Sequence, residues 1–100
     1  MNRGLFLVNE MHGPQYQSSK PLEEQEDWDA HAEFMDALAA EGFVPLGGPI
    51  VGTPDVLLIM RARDEAEIRN RLAADPWQKK DLLRIVSIKA WQLRLGKLPQ

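Results

Sequence analysis

Of the two histidines in the chain, one stands where a histidine is out of place. In the segment WDAHAEFMDALAAEGF, residues 28–43, Trp28, Met35, Leu38 and Gly42 recur at helical spacing on one face, and His31 falls in the same stripe. Imidazole exchanges a proton near neutral pH, so on an apolar face it is either a core histidine with its hydrogen bonds met or a reagent turned toward a pocket. A carboxylate held against one ring nitrogen would favour the second reading. It fixes the tautomer, stabilises imidazolium and leaves the other nitrogen to act on a proton. Asp75, in the stretch AADPW, is the candidate. Pro76 biases Asp75 away from the helical region, which places it at a helix C-terminus, where a carboxylate gains nothing from the dipole and needs a cationic or donor partner.

The other candidates are less specific. His12 can assist ligand binding or join His31 on a metal, but no HxH or HExxH spacing accompanies it, and a solvated loop histidine explains it as well. Gly47-Gly48-Pro49 lacks the following helix of a phosphate-binding loop. It reads as a turn or a close-approach backbone site, with Gly48 available for an oxyanion contact and Pro49 beside it. Trp28 and Trp77 suit the apolar walls of a pocket. Ser87 lacks an adjacent histidine and reads as a packed hydroxyl. The arginines from Arg61 to Arg71 alternate with acids as on a solvated surface.

These residues are held by a predictable set of elements. GLFLVNE is a β-rich run, and residues 11–25 form a long polar connection that reads as a lid or as a floppy insertion. A helix follows from about residue 26 to 41, with acids in its first turn and Gly42 as its left-handed terminator. FVPLGGPIV is an interrupted strand suited to a sheet edge, and VLLIMRAR an uninterrupted one suited to the centre. Asp64 and Glu67 have capping-box spacing for a second helix that buries Ile68 and Leu72 and stops near residue 74 or 75. QKKDLL is a polar link with room for one helical turn, RIVSIKAWQLRL is the last strand, and the tail 96–100 is expected to fray. The expectation is one domain over residues 1–100.

The order βαββαβ predicts an α+β, ferredoxin-like fold: one antiparallel sheet with both helices on one face and the first and third strands central. The start of the first helix and the end of the second then share one end of the sheet, which brings His31 and Asp75 together beside the long connection. Strands covered on one side should alternate, yet Leu5 and Leu7 oppose Phe6 and Val8, and Val56, Leu58 and Met60 oppose Leu57 and Ile59. The surplus apolar face calls for a second copy of the sheet, giving a homodimeric α+β barrel, unless the long connection folds under it.

Composition narrows the partners. Twelve basic against fifteen acidic side chains argue against nucleic acid, whose binding requires clustered cations. With no cysteine, thiol chemistry and thiolate metal sites are excluded. Apolar runs are too short for a membrane span, and the start has no secretory pattern, so a soluble cytoplasmic protein is expected.

Four features occur together and in order: WDAHAEFM, LGGPI, DEAEIRNRLAADPW with its Asp-Pro-aromatic ending, and a closing strand ending in KAW. In these the chain resembles the YciI-like (YCII-related) family from Leu5 to about Leu95. The resemblance implies a ferredoxin-like subunit of a dimeric α+β barrel with a His-Asp site, carried here by His31 and Asp75. Most members have no assigned reaction; one branch eliminates chloride from a chlorinated hydroxyquinone or hydroxyquinol, and related barrels include muconolactone isomerase-like enzymes. The long insertion after the first strand departs from compact members. The expected function is therefore a lyase or isomerase of small cyclic molecules, working without a cofactor or metal, that abstracts a proton and then eliminates or isomerises. The alternative is a noncatalytic small-molecule-binding or dimerisation module.

Overall fold

The computed structural model describes residues 3–99. Four strands, β1 (Gly4–His12), β2 (Leu46–Pro49), β3 (Asp55–Ala62) and β4 (Leu83–Trp91), alternate with helices α1 (Trp28–Ala40), α2 (Glu65–Leu72) and the one-turn α3 (Pro76–Lys79). The strands form one antiparallel sheet in the order β2-β3-β1-β4, the α+β ferredoxin-like arrangement. β3 sits in the interior because it has neither Pro nor Gly to interrupt a ladder on either side, while the Gly- and Pro-bearing β2 takes an edge.

Local chemistry sets the helix ends. Gly42 adopts φ 79°, and the backbone N–H groups of Phe43 and Val44 turn back to the Leu38 carbonyl at 3.0 and 3.2 Å, closing α1. The other end starts later than its acidic pattern predicts: Asp27 takes a left-handed φ of 58°, so α1 begins at Trp28. The Asp27 carboxylate makes no cap and instead meets Lys80 Nζ at 2.6 Å, tying the start of α1 to the end of α3. In α2, Asp64 Oδ1 accepts from Glu67 N at 2.9 Å and Glu67 Oε1 accepts from Arg63 N at 2.7 Å, a capping box whose return bond lands one residue early.

The expected end of α2 needs correction. α2 stops at Leu72, and Asp75 is extended and opens α3 as its N-cap, with Oδ1 accepting from Trp77 N at 3.0 Å. Pro76 at the first helical position is well placed there, since that position needs no N–H and suits its fixed φ. The proline that was expected to end one helix thus also begins another.

Both long helices lie on one sheet face. Val8, Leu58, Met60 and Ala62 from the sheet pack with Leu38 of α1, Ile68 and Leu72 of α2, and Phe43. Each fully buried Leu, Ile or Phe contributes about 1.5–3 kcal/mol, so this cluster is the main stabilising unit. The connection after β1 does not fold under the sheet. It packs on the helix side, where Gly13 N and Gln15 N donate to the carbonyls of Leu82 and Asp81 and Tyr16 and Leu22 rest on Trp77, Leu82 and Leu83. On the opposite sheet face no helix among the described residues covers Leu7, Ile59 and Leu46, which lie side by side in register, and Leu46 is 48% and Leu57 38% exposed. No helix among the described residues is long and apolar enough to cross a membrane.

Candidate active site

α1 brings His31 to the covered face one turn from its start, and the turn before α3 brings Asp75 to meet it. His31 Nδ1 lies 2.8 Å from Asp75 Oδ1, with the two residues 8% and 1% exposed. The same Oδ1 already accepts from Trp77 N, so it acts as acceptor toward the ring as well, which puts the hydrogen on Nδ1 and the lone pair on Nε2. Asp75 Oδ2 is buried and makes no hydrogen bond among the described residues.

Trp77 fixes the plane of the imidazole. Its ring stacks on His31 with centroids 3.9 Å apart and planes 1° from parallel, and its Nε1 donates to the Glu26 carbonyl at 2.7 Å. Trp28 lies 5.8 Å from Trp77 and 6.0 Å from His31, tilted by about 50° to both. The imidazole is therefore held by a hydrogen bond along its edge and by an indole across its face. His12 ends β1 rather than lying in the loop, and stacks on Tyr16 at 3.5 Å. Burial lowers the basicity of His12, against an opposing pull from Asp55.

The pair opens on a cavity of about 540 Å³ between α1, the β2 edge and α3, a size ordinary for small-molecule sites. Met35, Val44, Val56 and Leu58 give it apolar walls, and His12, Trp28, His31, Gly48, Pro49 and Trp77 all line it. The predicted residues thus converge, with Asp75 behind His31. Close approach belongs to Gly47 rather than Gly48: a Cβ at Gly47 would stand 2.6 Å from Leu58 Cδ2, whereas one at Gly48 would meet nothing within 4 Å.

One lining residue escaped the sequence reading. Glu10, 1% exposed, reaches the cavity from β1, and Gln78 Nε2 donates to its Oε2 at 2.5 Å. Burial, then the nearby charge of Asp75, push its pKa up to about 7. The signal was present: continued past Val8, the two-residue period of β1 puts Phe6, Val8, Glu10 and His12 on one face.

Comparison with known proteins agrees with the small α+β fold. Residues 6–92 match the YCII-related domain, and the chain belongs to that family. Among solved structures it is similar to 5-chloro-2-hydroxyhydroquinone dehydrochlorinase (TftG) from Burkholderia phenoliruptrix AC1100, in complex with 2,5-dihydroxybenzoquinone. That likeness has a TM-score of 0.63 at 23% identity and covers 92% of this chain and 95% of the other. No curated protein matches by sequence.

Proposed function

We propose that the chain is a small-molecule lyase or isomerase in which His31 Nε2 is the general base and Asp75 its orienting partner. The observation that carries this reading is the His31–Asp75 hydrogen bond of 2.8 Å at the wall of an apolar cavity. Nε2 takes a proton from the substrate. The electrons of the broken bond form a double bond, which either expels a leaving group with its own electron pair or shifts unsaturation along the ring. The apolar walls and the indoles of Trp28 and Trp77 suit a flat cyclic substrate. A family neighbour in fold that is a dehydrochlorinase supports the same class.

The test is chloride release from 5-chloro-2-hydroxyhydroquinone, together with binding of 2,5-dihydroxybenzoquinone. Release by the wild type that His31→Ala abolishes supports the reading. Binding of the quinone without turnover of this or other cyclic substrates favours a noncatalytic binding module instead.

The homodimer belongs to the same proposal. Leu46 and Leu57 leave an apolar patch on the sheet face opposite the pocket, which a second sheet can cover. Light scattering at micromolar concentration is expected to give twice the chain mass, and a monomer removes the dimer.

A further inference from the structure

An acid at position 10 is costly for the fold. β1 alternates Phe6, Val8, Glu10 and His12 toward the helices, so Glu10 takes a place where the sheet otherwise buries apolar side chains. It is 1% exposed, no salt bridge to it is formed among the described residues, and Gln78, a neutral amide, supplies its hydrogen bond. The pairing of β1 with β4 also slips at this point: Asn9 faces Ser87 while Glu10 faces Ile85, leaving Val86 as an extra residue. The extra residue is on β4, while β1 keeps an unbroken register with β3, and bulges of this kind are over-represented beside functional sites. A buried carboxyl at a cavity wall, with an amide to orient it, is an arrangement for holding a proton rather than a charge.

We propose that Glu10 is a second catalytic residue of the pocket, a neutral carboxylic acid that donates a hydrogen bond to an oxygen of a cyclic hydroxy- or oxo-substituted ligand, with Gln78 as its positioning residue. The inference rests on the function proposed above. When His31 removes a proton from such a ring, negative charge spreads onto the ring oxygens, and a preorganised donor at the cavity wall stabilises that charge. No bond to Glu10 forms or breaks; its proton stays on the carboxyl and is shared. With its pKa raised to about 7, the carboxyl keeps its proton below neutral pH and is about half protonated at pH 7. The titratable groups around it are His12 on its own strand, His31 and Asp36 on α1, and Asp75 before α3. Of these, the Asp75 charge raises the Glu10 pKa and the Gln78 hydrogen bond lowers it.

Carboxyl ¹³C NMR of glutamate-labelled protein tests the proton directly, with Glu10→Gln identifying the signal. One glutamate is expected to titrate near pH 7, moving lower in Asp75→Asn and higher in Gln78→Leu. Titration of every glutamate in the ordinary carboxylate range overturns the proposal. The contact with ligand is read from 2,5-dihydroxybenzoquinone affinity across pH 5 to 9. Wild-type affinity is expected to fall by about tenfold per pH unit once the acid ionises, beyond any slope in Glu10→Gln, which shares the ionisation of the quinone itself. Parallel profiles for the two proteins overturn the contact. Absence of quinone binding in the wild type counts against the function proposed above, while the carboxyl titration, which needs no ligand, still decides the state of Glu10.

Discussion

The helix-covered face of the sheet is divided into two regions built on different terms. Around Val8, Met60, Ile68 and Leu72 every buried side chain is apolar. One strand residue further along β1, beyond Val8 on the same face, the buried side chains include Glu10, Gln25, His31 and Asp75, together with Trp77. The first region carries the stability. The second gives some of it up, since a buried polar group costs free energy unless its hydrogen bonds are met. Within that second region the polar groups divide again. Gln25 accepts from Gln17 N and donates to the carbonyls of Gln17 and Lys20, so it is fully used in holding the connection. Asp75 has one unpaired oxygen and Glu10 an elevated pKa. Glu10 stands at the cavity wall and Asp75 holds the imidazole that faces the cavity, whereas Gln25 does neither, which is why these residues and not Gln25 are read as functional.

The largest expected effect is on chemistry. His31→Ala is expected to reduce chloride release by about 10²- to 10⁴-fold, the contribution of a positioned general base, with the far-UV circular dichroism spectrum unchanged. Asp75→Asn keeps a side-chain oxygen to cap α3 but weakens the hold on the imidazole, so its loss should appear in turnover more than in melting temperature. Ile68→Ala inverts this pattern. A truncation in the apolar region costs about 2–5 kcal/mol in denaturant unfolding, while quinone affinity per folded molecule is retained. If Ile68→Ala weakened the site as much as His31→Ala does, the two regions would be one cooperative unit and the contrast would fail.

Glu10→Gln comes next and has the opposite sign. Glu10 has a folded pKa of about 7 against an ordinary 4.5, so between these values the native state binds more protons than the unfolded chain. Stability contributed by the protonated form is complete below pH 4.5 and is lost as pH rises through about 7. The interval corresponds to about 3 kcal/mol. Glu10→Gln is therefore expected to be more stable than the wild type at pH 8 by this order and to flatten the slope between 4.5 and 7 in chemical denaturation. A variant that gains stability while losing quinone affinity would be direct evidence of a fold weakened for its function.

The two regions were unequally legible in the sequence. The apolar one was readable because periodicity is a local signal: Ile68 and Leu72 share a helix face, and Leu58 and Met60 a strand face. Strand order followed from Pro49 and the glycines, which keep β2 off the centre. The His31–Asp75 contact crosses the fold, and it was accessible only because the topology of alternating strands and helices puts those two ends together. Asp75 itself was misplaced by one element, since a proline that terminates a helix and one that opens the next look alike along the chain. Glu10 was missed although the run GLFLVNE ends on it, because the alternation of faces was followed only through the apolar residues to Val8, whereas pairing with β3 and β4 carries the strand on to Met11 and His12. Backbone pairing, unlike burial, leaves no mark in the side-chain pattern.

Gln25→Ala is expected to have the smallest effect and to separate a buried polar group that builds from one that reacts. The substitution removes three hydrogen bonds, of 2.9, 2.7 and 3.0 Å, between the residue after the connection's 3₁₀ turn, Leu22–Glu24, and the connection's middle. Each contributes about 0.5–1.5 kcal/mol net, but freed groups at 17 and 20 can turn to water, so a total of about 1–2 kcal/mol is expected. Hydrogen exchange should quicken at Gln17 while the amides of β1 and β3 keep their protection, because the opening is local. Quinone affinity should fall only as far as Tyr16 and Leu22 lose their packing on the Trp77 cluster, Leu22 being the one residue of the connection beyond His12 that lines the cavity among the described residues. A collapse of affinity comparable to that of His31→Ala would instead make the connection part of the site, and the division between structural and reactive polar groups would have to be redrawn with Gln25 on the other side.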